Sequence, residues 1–309
     1  MDSKISLARH VDYNLDTLIT AIDGVIKSIG GWDRYLFSGA KVILKVNLVS
    51  PARRERNALT DPTIVEALIH ICGKRGCIVR VCDASVFGSI KRVAKSNGIF
   101  DVCERHNIKL WQFDTVDTVE TGRKPLKICK EIQWADRIIN LPKLKAHGQL
   151  YYSGAIKNLF GCVVGKRKFM HHIIKGNRNN LFADMLLDIA RHVSPCLNIL
   201  DGIHAMSGDG PMNGHPVHLG LLGAATNPLA LDIAVVDLLA GDRSRVPYFQ
   251  AAKTNGFWKN SFSPDVQWIN GDFIPKGFSF PGRLKPIRFS FPHSIKSAAK
   301  SISPIIKGG

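Results

Sequence analysis

Lys41-Val-Ile-Leu-Lys-Val-Asn-Leu-Val49 is the stretch on which the fold turns. Its aliphatic residues, Val42, Ile43, Leu44, Val46, Leu48 and Val49, fall on both faces of an extended chain. A strand with one wet face would alternate, so this run reads as a strand covered on both sides. Thr60-Asp61-Pro62 follows as a helix start, with a capping side chain and Pro at an early position, and Gly73 and Gly76 close that helix. Cys77 to Cys82 then forms a second strand ending at Asp83. Upstream, Leu15, Leu18, Ile19, Ile22, Val25, Ile26 and Ile29 make a helical stripe. Downstream, a helix over Ser89 to Ser96 stops at Asn97-Gly98, and Ile108 to Phe113 is a third strand. Strand–helix–strand units of this size predict an α/β fold built on a mainly parallel, helix-covered sheet.

The rhythm continues less cleanly in the second half. Arg137 to Leu141 is a buried-type strand ended by Pro142, and Leu181 to Val193 is an amphipathic helix. Leu197 to Leu200 is a short strand that stops at Asp201-Gly202. Val217 to Ala224 is another strand, and Asn227-Pro228 starts a helix through Leu239. Beyond Arg243 the pattern decays into aromatic, Pro- and Gly-rich sequence. The expected organisation is one α/β domain over residues 1–242 and a peripheral, basic, aromatic-rich C-terminal extension over residues 243–309.

Charge is the most uneven property of the 309 residues. The net charge is +17, and two stretches carry nearly all of it. Arg137 to Ala183 has nine Lys/Arg and three His with no Asp or Glu, and Phe273 to Gly309 has seven Lys/Arg, again with no acid. Two anionic partners are therefore expected. No apolar run approaches the roughly 20 residues of a membrane-spanning helix. The N-terminus lacks a secretory signal's apolar core, which predicts a cytoplasmic protein, with peripheral membrane contact left open. Seven cysteines without paired spacing fit reduced thiols.

Several chemistries lack their motifs. The sequence has no P-loop, no C-x-x-C, no H-E-x-x-H and no G-x-S-x-G. Gly208, Gly210 and Gly214 lie near a strand end, yet Pro211 and Pro216 stand where a dinucleotide-binding helix would begin. What remains is Asn140-Leu-Pro-Lys-Leu-Lys-Ala-His147. Lys143, Lys145 and His147 alternate, so an extended chain puts all three on one side. Ligands of open α/β sheets sit beyond the carboxyl ends of the strands, where three such groups suit a carboxylate, a phosphate or a metal-bound anion. Ser153, Lys157 and Phe160 read as neighbours on a helix, and a desolvated Lys157 would serve as base or Schiff-base nucleophile. A lysine snorkelling beside a core helix fits the same residues equally well. Asp201 and Asp83 end strands, Lys45 and Asn47 lie near the end of the first, and Gly208 and Gly210 offer an anion nest. Asp201 and Asp83 fit turn capping as well. Asp184 is expected to face the basic cleft and Asp188 plain surface.

KVNLV at Lys45, Thr60-Asp-Pro62, NLPKLKAHG, SGAIKNLFG, His171-His172, FADMLLDI, ILDGIHAMSGDGP and NPLALD together resemble the domain of unknown function 362 family, from about Lys41 to Leu239. Many members of that family carry an appended ferredoxin-like iron–sulfur module. The resemblance implies a redox setting and a ferredoxin-like partner, without fixing a reaction. This chain has no clustered cysteine motif, so no in-chain iron–sulfur cluster is expected. The resemblance supports a shared site of Lys45, Asn47, Asp83, Lys143, Lys145, His147, Lys157, Asn158, His171, Asp201 and Gly210.

The expectation is an enzyme taking a small anionic substrate or cofactor. Lys143 and Lys145 position the anion, Lys157 or His147 handles a proton, and Asp201 orients a basic partner. A divalent metal on His147, His171 and Asp201 is a weaker expectation. The competing reading is a non-catalytic carrier of a metal or anionic cofactor. The tail, with Arg283, Lys285 and Arg288 among Phe278, Phe280, Phe289 and Phe291, reads as wrapping its own domain or meeting an anionic membrane surface. Nucleic acid is not expected, because no recognition motif accompanies the charge.

Overall fold

A computed structural model describes residues 4–85, 89–121, 123, 125–164, 181–211, 214–256, 259–271 and 273–284. The N-terminal part runs β1 (Lys4–Arg9), α1 (Leu15–Ser28), β2 (Lys41–Lys45), α2 (Pro62–Lys74), β3 (Ile78–Asp83), α3 (Ile90–Asn97), α4 (Ile99–Arg105) and β4 (Lys109–Gln112). A small antiparallel pair follows, β5 (Val116–Val119) and β6 (Leu126–Cys129). Then come β7 (Arg137–Asn140), β8 (Lys143–His147), β9 (Tyr151–Ser153), α5 (Ala155–Leu159) and α6 (Leu181–Val193). The chain continues with β10 (Leu197–Ser207), β11 (His215–Ala225), α7 (Pro228–Leu238), α8 (Pro247–Thr254) and β12 (Asp265–Trp268).

The main sheet has the order β12-β1-β11-β10-β7-β2-β3-β4, with β8 on β10 and β9 on β8. From β10 to β4 every neighbour is parallel, while β11 runs against both β10 and β1. The fold is thus α/β with a mostly parallel sheet, as the double-sided apolar run of β2 predicts. Val42 and Leu44 pack into one core with Leu18, Ile22, Ile64 and Leu68, so α1 and α2 cover that face. Ile43 points into the other core with Ile156, Leu186, Ile233 and Tyr248, contributed by α5 to α8. Local signals set the helix starts. Asn14 accepts a hydrogen bond from Thr17 N, Asp61 from Thr63 N with Pro62 in the first turn, and Asn227 from Leu229 N and Ala230 N.

Two sequence expectations change. β10 does not stop at Asp201; it runs eleven residues to Ser207, passing Gly202 through a bulge. Ser153 belongs to β9, opposite Lys145, and not to the helix of Lys157. Within the expected extension, α8 buries Tyr248 and Phe249, and β12 extends the sheet beside β1. The tail from 285 onward lies outside the described residues.

Candidate functional site

Strand order reverses between β2 and β7: β2, β3 and β4 step one way, β7 and β10 the other. At such a switch the connections leave in opposite directions and open a crevice beyond the carboxyl ends. Three buried lysines gather there.

Lys45 closes β2. Its Nζ lies 3.0 Å from Asp83 Oδ1 and donates to Val46 O. Asp83 also accepts from Leu48 N and Ala84 N, so both oxygens are engaged. The pair is nearly sealed from water, and Gly161 is part of the seal. A Cβ there would stand 2.3 Å from Lys45 Nζ and 2.5 Å from Asp83 Oδ1, so any side chain would have to displace the ion pair.

β8 is the second source. The chain leaves β7 at Asn140, bends at Leu141-Pro142, and re-pairs with β10 farther along. Lys143, Lys145 and His147 are all buried. Lys143 Nζ donates to Asp201 Oδ2 at 2.8 Å and to Tyr13 Oη at 2.9 Å. Asp201 is fully enclosed and also accepts from the Tyr13 hydroxyl and from Asp61 N. Asp61 in turn takes a bidentate fork from Arg54, 2.7 Å on each arm. Burial, then the neighbouring Asp201 carboxylate, drives the Tyr13 phenol well above its ordinary value, so it remains a donor.

Lys145 differs from both. Its Nζ donates to Asn47 Oδ1 at 2.9 Å and to Ala58 O at 2.7 Å, two neutral acceptors. Burial, with the charges of Lys143 and Lys45, lowers its pKa to about 7 against some help from Asp83. Asn47 begins a run of amides: its Nδ2 donates to Asn158 Oδ1, Asn158 Nδ2 to Asn140 Oδ1, and Asn140 Nδ2 to Asn198 Oδ1. Asn198 Nδ2 donates to the carbonyls of Ala225 and Thr226. His147 Nδ1 accepts from Gln149 N and Leu150 N, which places the ring proton on Nε2. Burial, then Lys157 and Lys145, push His147 well below its ordinary value, so the ring is neutral. Lys157 is half-buried on α5, its ammonium 4.6 Å from the Phe160 ring centre. Asp232 of α7 holds the start of α5, accepting from Ala155 N and Ile156 N, and burial raises its pKa to about 7.

The structure therefore brings together Lys45, Asn47, Asp83, Lys143, Lys145, His147, Lys157, Asn158 and Asp201. Of the expected metal set, His147 and Asp201 are among the described residues. Asp201 is taken up by Lys143, Tyr13 and Asp61, the His147 lone pair is on Nδ1 facing backbone donors, and His171 lies outside the described residues. Gly210 sits against β8, its carbonyl accepting from Gly148 N, and a Cβ on it would come 2.3 Å from Ala146 O. Gly208, with φ +79°, donates to Ser279 O and shapes the turn after β10. Asp188 is not plain surface but buried and forked by Arg123, while Asp184 pairs with Arg123 and Asn255. Sequence reading missed Tyr13, Asp61, Asn140, Asn198 and Asp232. Asp61 and Asn140 stand in quoted motifs, but polar residues at helix caps and strand ends signal their structural roles first. Two open clefts, of 490 Å³ beside Arg137 and His192 and of 350 Å³ beside His218 and Lys276, include none of the crevice lysines.

A doubly covered, open α/β sheet with lysines and amides packed at its switch point defines the class. Residues 42–237 match the family described as a domain of unknown function (DUF362), and the chain belongs to that family. It is 33% identical over 305 residues to a thylakoid-associated protein of Synechocystis sp. (strain ATCC 27184 / PCC 6803 / Kazusa), covering 97% of this chain and 94% of that one. Among solved structures it is similar to the lactate racemase apoprotein from Thermoanaerobacterium thermosaccharolyticum, with TM-score 0.43, 12% identity, and 69% of this chain and 53% of that one covered. It is also similar to a Thermotoga maritima structural-genomics protein, with TM-score 0.41, 13% identity, and 66% and 53% covered. The chain spans about half the length of those two solved chains.

Proposed function

We propose that the chain is an enzyme that takes a small anion, a carboxylate or a phosphate, at the β2/β7 crevice and moves a proton on it through Lys145. The observation that carries this reading is a charge mismatch. Three buried lysines, Lys45, Lys143 and Lys145, meet two buried carboxylates, Asp83 and Asp201. Buried cations without a counter-charge are expensive. Two events relieve the excess: Lys145 loses its proton, or an anion arrives. A neutral Lys145 keeps two N–H groups, matching Asn47 and Ala58, and has one lone pair left for a substrate hydrogen. His147, a donor through Nε2, and half-buried Lys157 supply the anion's hydrogen bonds and charge.

Anion binding and proton uptake are then linked. Above about pH 7 the free protein holds Lys145 neutral, and a bound anion raises its pKa, so uptake approaches one proton per anion near pH 8 and vanishes near pH 5.5. Calorimetric titration with inorganic phosphate and with malonate, in buffers of different ionisation heat, reads this directly. Uptake that persists in Lys145→Met, or none at the higher pH, overturns the assignment. Deuterium exchange into small carboxylates bearing an acidic C–H, incubated in D2O, tests the catalytic half. Uptake without exchange on any of them identifies an anion carrier instead.

A second observation concerns location. No helix among the described residues is long and apolar enough to cross a membrane. Yet residues 273–309 are acid-free with seven Lys/Arg, and a relative is named for thylakoid association. We propose peripheral attachment of this tail to an anionic bilayer. Flotation with phosphatidylglycerol vesicles should fall with salt and be lost on truncation after residue 284; flotation that survives truncation rejects it.

A further inference from the structure

A second polar cluster lies on the outer side of α2, away from the lysines. Glu66 and His70 are four residues apart on α2 and so share a face. The α4 helix packs against α2 and ends at Arg105, with His106 as its cap. His106 Nε2 is 2.8 Å from Glu66 Oε1, and the His70 and His106 rings meet edge to face with centres 4.9 Å apart. One ligand atom from each of Glu66, His70 and His106 lies within 4.8 Å of the others. All three are partly buried, so water reaches the cluster.

The geometry points to a divalent transition-metal site of the Zn²⁺ class on Glu66, His70 and His106. Two imidazole nitrogens and one carboxylate oxygen form a ligand set that zinc takes with water in the fourth position. Calcium and magnesium favour oxygen-only cages and fit poorly. Neighbouring ligand atoms around tetrahedral zinc stand about 3.3 Å apart. The His106–Glu66 hydrogen bond, at 2.8 Å, has to open by about 0.5 Å to reach that spacing, and the other ligand atoms, within 4.8 Å of one another, have to draw in. The ion replaces the proton that bridges His106 and Glu66. It would cross-link α2, whose capping Asp61 reaches Asp201, to α4. One group opposes it: Arg105 Nη1 lies 2.6 Å from the same Glu66 Oε1 and competes for that oxygen.

That competitor makes the site distinguishable from an ordinary surface ion pair. Zn²⁺ is titrated calorimetrically into the full chain under a non-chelating reductant. Co²⁺ in its place should show ligand-field bands without thiolate charge transfer. His70→Ala should weaken binding by about 100-fold, because loss of a ligand exceeds the 10–100-fold effect of outer-shell changes. Glu66→Gln should weaken it by at least about 10-fold. Arg105→Ala should tighten it, and His218→Ala should leave it unchanged. Each variant's metal-free unfolding curve guards against misfolding. Equal affinity in wild type and His70→Ala, or an Arg105→Ala that binds more weakly, overturns the site.

Discussion

Lys143 and Lys145 sit two residues apart on one strand, equally buried, yet in opposite electrostatic company. The Lys143 side is matched: Asp201, Tyr13 and the Arg54–Asp61 fork pair its charge with carboxylate and phenol. The Lys145 side is amide-held: Asn47 and a backbone carbonyl receive its hydrogen bonds and no carboxylate touches it. The same residue type at the same depth is thus ion-paired in one place and held by neutral acceptors in the other. What a buried lysine does is decided by the charge of its acceptors.

Breaking the matched side should cost most. Asp201→Ala leaves the Lys143 charge buried and unpaired, and urea unfolding should show a loss of about 3–5 kcal/mol. A loss under about 1 kcal/mol would erase the contrast. On the other side the sign depends on pH. Unfolded, Lys145 keeps its proton up to about pH 10.5; folded, it loses it near 7. The unfolded chain therefore binds more protons in that window, and this group makes stability rise with pH across it, by up to about 1.4 kcal/mol per unit. Lys145→Met removes the dependence, so relative to wild type it should fare about 2–3 kcal/mol better at pH 6 than at pH 9. Identical pH profiles for the two proteins would show that Lys145 does not titrate there. Smallest is Asn140→Ala, which takes one amide from the run and strands its neighbours' polar atoms at about 1–3 kcal/mol; its shortfall against wild type should not vary between those two pH values.

Much of this was legible beforehand for physical reasons. KVILK reads as a doubly buried strand because aliphatic residues occupy both its faces, and α2 announces itself through Asp61-Pro62. KLKAH reads as a convergent set because strand geometry has period two. Pairing was not legible. Lys143 and Asp201 are 58 residues apart, and only the return of β8 onto β10 brings them together. Gly202 looked like a strand end because a bulge and a turn use the same residue. Asn140 and Asn198 resemble strand-end caps until both are seen on adjacent strands. α8 and β12 were not legible because α8 buries only two large side chains, Tyr248 and Phe249, and β12 buries none, in a Pro- and Gly-rich background.

The amide run has a direction. An ammonium or amine at one end offers hydrogens, and the Ala225 and Thr226 carbonyls at the other only receive them, so every side chain between must point its oxygen toward Lys145. Four dipoles are thereby locked head to tail across the seam of the sheet. None can flip alone. A change of protonation at Lys145 should register at the far terminus, as a displaced Asn198 side-chain resonance, making that distant amide a spectator from which the state of the crevice can be read.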